Sequence, residues 1–312
     1  MRVAATWGGR EVSDDAIALL RGWERPGDCG WQLHAGDVGW HLRLDDADVD
    51  GTLLRLHDRA SSAPLAVGLL DGPGVLRLAL DPDRWHDPDL AVAVADAAED
   101  RLGRAGAAEA YVEGPMPGGW RAELARRGWD LDPDAWVQLW RPLGAADAAR
   151  DEPRVSPVSG EADVADRVAV QRSALENSTF TEQRWAQMSS STAYDPRLDL
   201  LARDEDGVAV AAVTVWTAGK GRCALVEPMA TAAAHTRKGH GRRLLLAAAT
   251  ALARVGASGV AVRTPASNEA AVAAYRSAGF SAIGLAADMC STAASTSSAQ
   301  PQESVTPAPP CP

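Results

Sequence analysis

One stretch, Leu225 to Val255, constrains what this chain can fold into more than any other. It opens with Leu225-Val226-Glu227-Pro228-Met229-Ala230-Thr231, crosses a turn of small residues, and passes Arg237-Lys238-Gly239-His240-Gly241-Arg242 into the apolar run Leu244-Leu245-Leu246. That order predicts a strand, a glycine-containing turn and the start of a helix. A helix N-terminus leaves backbone N–H groups unpaired and carries partial positive charge, so a turn that opens one suits phosphate oxygens. Gly239 and Gly241 carry no Cβ and let the main chain approach such an anion. Arg237, Lys238 and Arg242 add full charges beside it. The helix continues through Leu245, Ala249 and Leu252 to a cap at Gly256.

The next segments extend this unit. Val260 to Thr264 reads as a second strand, and Pro265-Ala266-Ser267-Asn268 opens a short helix that Ser267 or Asn268 can cap. That helix ends at Ala278-Gly279, with Tyr275 in its last turns and Phe280 after it.

On these residues the chain resembles the GCN5-related N-acetyltransferases, the GNAT family. The family's acetyl-CoA loop, Arg/Gln-x-x-Gly-x-Gly/Ala, is matched at both glycines by Thr236-Arg237-Lys238-Gly239-His240-Gly241, with Thr236 departing from it at the first position. The following motif is matched by Asn268, Ala271, Tyr275, Gly279 and Phe280. The resemblance covers roughly Arg154 to Met289. In size the chain is similar to the tandem acetyltransferases of actinobacteria, an architecture shared by mycothiol synthase. It implies an α/β (α+β) fold of two tandem GNAT-like domains, each a mixed, largely antiparallel central sheet flanked by helices.

The same resemblance implies a reaction and a cosubstrate. Acetyl-CoA would be held by main-chain groups of Met229, Ala230 and Thr231 along its pantetheine arm. Arg237, Lys238, Gly239, His240, Gly241 and Arg242 would meet the pyrophosphate, and Asn268 would be a helix cap first and a cofactor contact second. An amine attacking the thioester must lose a proton, and the departing thiolate must gain or share one. Glu227 is placed for the first task and Tyr275 for the second, against the plainer readings of a surface carboxylate and a core tyrosine. A water chain is the alternative base. No metal is implied.

The chain of 312 residues has room for two domains. We expect residues 1–143 as a first domain, 144–153 as a linker, 154–290 as the acetyl-CoA domain and 291–312 as a disordered tail of Ser, Thr, Ala and Pro. The first half repeats the order of the second: a strand at Val3–Trp7, an apolar meander through Leu53–Leu56, Ala66–Leu70 and Val75–Leu80, then helix, strand, helix, Gly128-Trp129 and a strand at Ala135–Trp140. Its turn Asp81-Pro82-Asp83-Arg84-Trp85-His86-Asp87-Pro88 has no Gly-x-Gly, and its carboxylates would repel pyrophosphate. The first domain therefore reads as a degenerate copy without a cofactor loop. Nine of the eleven tryptophans lie in this half, where packing is their expected role.

A net charge of −11 argues against nucleic-acid or anionic-membrane binding. No apolar run is long enough to span a bilayer, and no segment reads as a secretion signal, so a cytoplasmic place is expected. Cys29, Cys223, Cys290 and Cys311 have no short paired spacing, which indicates neither a zinc site nor a disulfide framework. The expected partner is a small-molecule amine, with acidic composition favouring a cationic one such as an aminosugar, polyamine or amino-acid derivative, and a protein N-terminus is the alternative acceptor. The assembly could be a monomer or a homodimer. The alternative function is a CoA-binding sensor or interaction protein that does not turn over.

Overall fold

The computed structural model describes residues 2–24, 32–105, 108–116, 118–175 and 177–292. The first half runs β1 (Val3–Gly8), α1 (Ser13–Trp23), α2 (Ala35–His41), α3 (Asp46–Val49), β2 (Leu53–Asp58), β3 (Pro64–Leu70), β4 (Val75–Leu80), α4 (Pro88–Ala105), β5 (Glu109–Glu113), α5 (Gly119–Arg126), β6 (Asp130–Leu131) and β7 (Trp136–Pro142). After a short α6 (Ala145–Ala148), the second half repeats the pattern. It runs β8 (Val155–Pro157), α7 (Gly160–Ala174), α8 (Glu182–Ser189), β9 (Asp199–Arg203), β10 (Ala209–Thr217), β11 (Cys223–Thr231), α9 (His240–Arg254), β12 (Gly259–Pro265), α10 (Glu269–Ser277), β13 (Ser281–Ala286) and β14 (Met289–Thr292).

Each half builds a seven-stranded sheet, and the two sheets trade their last strands. Their orders are β1-β2-β3-β4-β5-β14-β6 and β8-β9-β10-β11-β12-β7-β13. Strand β7 lies antiparallel between β12 and β13, from Gly259↔Pro142 to Pro265↔Trp136 on one side. Strand β14 lies between β5 and β6, pairing Met289 with Val112 and with Leu131. The boundary expected at residue 143 therefore does not separate the sheets: residues 136–142 complete the second one. The expected tail also starts too early, since Ser291 and Thr292 belong to β14. The rest of that segment lies outside the described residues. Arg141, anchored to Asp147 at the start of α6, ties the intervening stretch down.

Alternation explains the layers. On β11, Ala224 and Val226 face a core shared with Leu244, Leu245 and Leu252 of α9. Leu225, on the other face, joins a core built largely by the first half, with Leu33, Val38 and Leu42. Helix α2 lies on that face because its glycines permit it. A Cβ on Gly36 or Gly39 would come within 2.4 Å or 2.5 Å of the Trp216 ring. A fully buried ionic group fastens α7 beneath β9 and β10. Arg167 donates to Asp199 (3.2 Å), Gln171 and Thr214, while Trp185, Tyr194 and Thr214 also donate to Asp199. A buried carboxylate with this many donors has its lone pairs met. Cys223 is disulfide-bonded, a single bond that the cysteine spacing did not announce.

Candidate active site

Strands β11 and β12 are parallel neighbours for only three residue pairs, Cys223↔Gly259 to Leu225↔Ala261. Beyond Leu225 they part. On its other edge β11 stays paired with β10, but with a bulge: Val215 opposes Val226 and Val213 opposes Met229. There Glu227 and Pro228, joined by a cis peptide bond, stand opposite the single residue Thr214. A bulge re-aims side chains and bends a strand. Here it stands where the sheet splits, and the Trp216 indole N–H donates to the Glu227 carbonyl. Met229 to Thr231 continue β11 with one edge on β10 and the other turned toward the gap.

The predicted anion-binding turn forms at the end of β11. Gly239 has φ of 82° and is the N-cap of α9, a left-handed conformation that favours glycine. No side chain caps this helix, so its first N–H groups stay available. A Cβ on Gly241 would lie 3.0 Å from the Met229 methyl, which shows how tightly the helix start abuts the strand. Arg237 and Lys238 are exposed beside the turn. Arg242 is also exposed, but its Nε donates to the Ser277 carbonyl at 2.9 Å, tying α9 to α10. The His240 ring is turned inward, 8% exposed and 6.1 Å from the His235 ring. Burial, with Arg243 and His235 nearby, holds it below the usual histidine range, so it is neutral at pH 7.

Glu227 and Tyr275 are brought toward each other across the split. Tyr275 is 9% exposed, edge-on to Phe280 at 5.6 Å, and its hydroxyl takes none of the hydrogen bonds found among the described residues. Burial and then the charge of Glu227 push its ionisation far above the ordinary phenol, so it stays protonated. Glu227 keeps a partial opening to solvent while protein surrounds it. Burial pushes its carboxyl up to about 7, Asp37 and Asp71 push the same way, and Arg77 and Arg43 oppose them. Asn268 caps α10, its side-chain oxygen accepting from Ala271 N–H at 3.1 Å.

The first half is expected from sequence to shape the acceptor pocket, but which of its residues reach the site is visible only in the structure. The first-half segment before α2 reaches β11, where His34 Nδ1 accepts from Gly36 N–H (2.9 Å), leaving Nε2 as the nitrogen facing the Cys223 carbonyl at 3.4 Å. Asp37 accepts from His34 N–H at 2.6 Å, and its other oxygen lies 3.0 Å from Arg77 Nη2. Arg77 also meets Glu113 (3.0 Å) and Asp71 (3.4 Å). A polar cavity of about 30 Å³ lined by His34, Asp37, Arg77, Gln138, Glu227 and Arg263 sits between the halves, room for a water or two. The one local signal was Gly36-x-x-Gly39, a helix face made small enough for another element to lie on. Among the described residues no cluster of His, Cys, Asp and Glu could hold a metal, and no helix is long and apolar enough to cross a membrane.

Comparison with known proteins agrees with this geometry. Residues 168–280 match the model of the acetyltransferase (GNAT) family. A search of curated protein sequences returned no match. Among solved structures, a GCN5-related N-acetyltransferase from Sphaerobacter thermophilus is similar with a TM-score of 0.58 and 18% identity, over 93% of this chain and 95% of that one. A tandem GNAT protein from the clavulanic acid biosynthesis pathway is similar at 0.57 and 14%, over 93% and 98%. A GNAT-family acetyltransferase from Colwellia psychrerythraea is similar at 0.56 and 12%, over 93% and 99%. With the split sheet and the glycine turn already placed, these matches show that the chain has the tandem GNAT fold and that residues 168–280 of its second half match the acetyltransferase (GNAT) family.

Proposed function

We propose that the protein is an acetyl-CoA-dependent N-acetyltransferase acting on a primary amine of a small molecule, with its active site in the second half. The observation that carries this reading is the position of Glu227. It is a carboxyl held near neutrality on one face of the split between β11 and β12, while the uncapped start of α9 lies beyond the end of the same strand. A base with an ionisation near the working pH is the most effective.

In this reading the pyrophosphate rests on the N–H groups of the Gly239–Arg242 turn. The pantetheine arm runs along the free edge of Met229 to Thr231. Glu227 takes the ammonium proton of the acceptor, and the small polar cavity beside it offers a water path for that proton. The amine lone pair forms the C–N bond at the thioester carbonyl, and the C–S bond breaks as the tetrahedral intermediate collapses. The leaving sulfur takes the proton of the Tyr275 hydroxyl, and the tyrosinate regains one, directly or through solvent, from the positively charged nitrogen of the intermediate as it becomes the amide. Arg237 and Lys238 supply exposed charge near the phosphates, and Asn268 holds α10 at the side of the cleft.

The test is thermal unfolding with and without acetyl-CoA, in the wild type and in Gly239→Glu. A ligand at about a hundred times its Kd stabilises the native state by about 2.7 kcal/mol. A shift seen in the wild type and lost in Gly239→Glu supports acetyl-CoA at this turn. No shift at millimolar acetyl-CoA sinks the assignment.

A further inference from the structure

Arg43 lies close enough to Glu227 for their charges to interact, and Arg184 close enough to Arg43, and neither guanidinium is neutralised by a carboxylate in contact with it among the described residues. Arg43 follows α2 in the first half, and Arg184 is on α8 in the second. Arg43 lies over the Trp40 ring at 4.2 Å, and its Nη1 donates to the Trp40 carbonyl at 2.8 Å. The Trp40 ring packs on Phe180 at 5.3 Å. Phe180 adjoins Thr179, whose hydroxyl takes a hydrogen bond from Arg184 Nη1. Neither side chain is fully exposed, and among the described residues no carboxylate comes within 4.0 Å of either. Other arginines at this junction are matched: Arg77 alone meets Asp37, Asp71 and Glu113. Partly desolvated cations held without a counter-ion cost stability unless something supplies one.

Acetyl-CoA does not meet that need in the reading above. Its phosphates belong at α9, which packs on the Ala224 and Val226 face of β11, whereas α2 packs on the Leu225 face. The charges that bear on Arg43 are Asp71, Glu227 and Arg184. Asp71 is 3.4 Å from Arg77 and 4.0 Å from His41. What remains is an anion on the acceptor.

Resting on the acetyltransferase reading, we propose that the acceptor carries a carboxylate as well as its amine, held between Arg43 and Arg184 while the amine faces Glu227. The substrate class is then an amino acid or an amino-acid derivative, recognised by one residue from each half. Planar guanidinium forks match a carboxylate in two-point geometry.

The test uses matched acceptors: L-amino acids, their carboxamides and their decarboxylated amines, with thiol release from acetyl-CoA as readout. Carboxylates should exceed carboxamides in kcat/KM by about tenfold or more, the worth of a hydrogen bond to a charged group. Arg184→Gln and Arg43→Gln should each raise KM for the carboxylated acceptor by about tenfold while leaving KM for acetyl-CoA unchanged. Arg184→Lys should recover part of the loss. Arg184→Gln should cost the carboxylated acceptor far more than the carboxamide, and Arg43→Gln, which also removes a charge acting on Glu227, should lower the acid-to-amide ratio of kcat/KM. Equal use of acids and amides, or equal damage by the variants to both, overturns the proposal, and so does a preference for phosphoethanolamine. Should no amine turn over, calorimetry with CoA and N-acetylated amino acids against their carboxamides decides it. Acid binding that Arg184→Gln removes upholds the carboxylate site, and indifference overturns it. Failure of the acetyltransferase reading is separately visible, as the absence of any acetyl-CoA thermal shift.

Discussion

The two halves share one fold and differ at one place, the split where the fourth and fifth strands of each sheet part. In the second half, pairing of β11 with β12 ends at Leu225↔Ala261, and Glu227 stands two residues further on. In the first half, pairing of β4 with β5 ends at Arg77↔Glu113, and two residues further on is the buried Ala79. Helix α9 starts uncapped after Gly239. Helix α4 is sealed by its own chain, since Asp87 accepts from the N–H groups of Asp89 and Leu90 at 3.0 Å and 3.2 Å. At the second position of α10 is Ala270, but at the second position of α5 is Trp120, fully buried against Gly114 with its N–H on the Pro115 carbonyl at 3.1 Å. One cleft is kept open and charged, and the other is plugged and capped. A fold carries chemistry only where its free hydrogen-bonding groups and space are left unspent.

The largest effect should come from the carboxyl that the first half lacks. Glu227→Gln should lower kcat/KM by about 10²- to 10⁴-fold, and the wild-type rise of kcat/KM with an inflection near pH 7 should vanish with it. A second consequence concerns stability. Because folding raises this carboxyl, the native state holds a proton that the unfolded chain has lost between its ordinary 4.5 and about 7. Wild-type stability should therefore fall as pH rises through that window. Glu227→Gln should lack this fall and melt higher than wild type at pH 8, as calorimetry at pH 5 and pH 8 would reveal.

Next in size is the plug. Trp120→Ala should cost about 3–5 kcal/mol in denaturant unfolding without creating acetyl-CoA binding in the first half. If binding appeared there, the difference between the clefts would be one of filling alone. Gly239→Glu should remove the acetyl-CoA stabilisation of about 2.7 kcal/mol, because a side chain is placed at a left-handed position and a negative charge beside the phosphates. The smallest effect belongs to the cap. Asp87→Ala should lower stability by about 1 kcal/mol and leave turnover unchanged, since it frees N–H groups in a cleft that has no room behind them.

The parts of this site that were legible in the sequence are those made by neighbours in the chain. Gly239, Gly241 and the strand before them act through backbone geometry within a few residues, and Asn268 caps its own helix. The absence of a Gly-x-Gly before α4 was legible for the same reason, because Asp81 to Pro88 lie together. His34, Asp37, Arg43 and Arg77 were invisible as site residues, since packing of the first half onto Trp216 is what brings them to β11. The strand exchange was hidden for a different cause. Alternation in Trp136–Pro142 and Met289–Thr292 fixes which face is buried and says nothing about which neighbour supplies the ladder. The raised ionisation of Glu227 likewise depends on Asp37 and Asp71, more than 150 positions away.

The traded strands also impose an order on biogenesis. Residues β1 to β6 leave the ribosome long before Met289, which must slot between Val112 and Leu131. From Pro142 to Met289 is 147 positions (289 − 142), a wait of about 7–30 s at a translation rate of about 5–20 residues per second. Throughout that interval β5 and β6 have no strand between them, and the nascent first half presents an open ladder to whatever is nearby. The second sheet is complete once β13 is made, three residues before β14 begins, so a premature stop between the two would leave the second sheet whole and the first with a gap between β5 and β6.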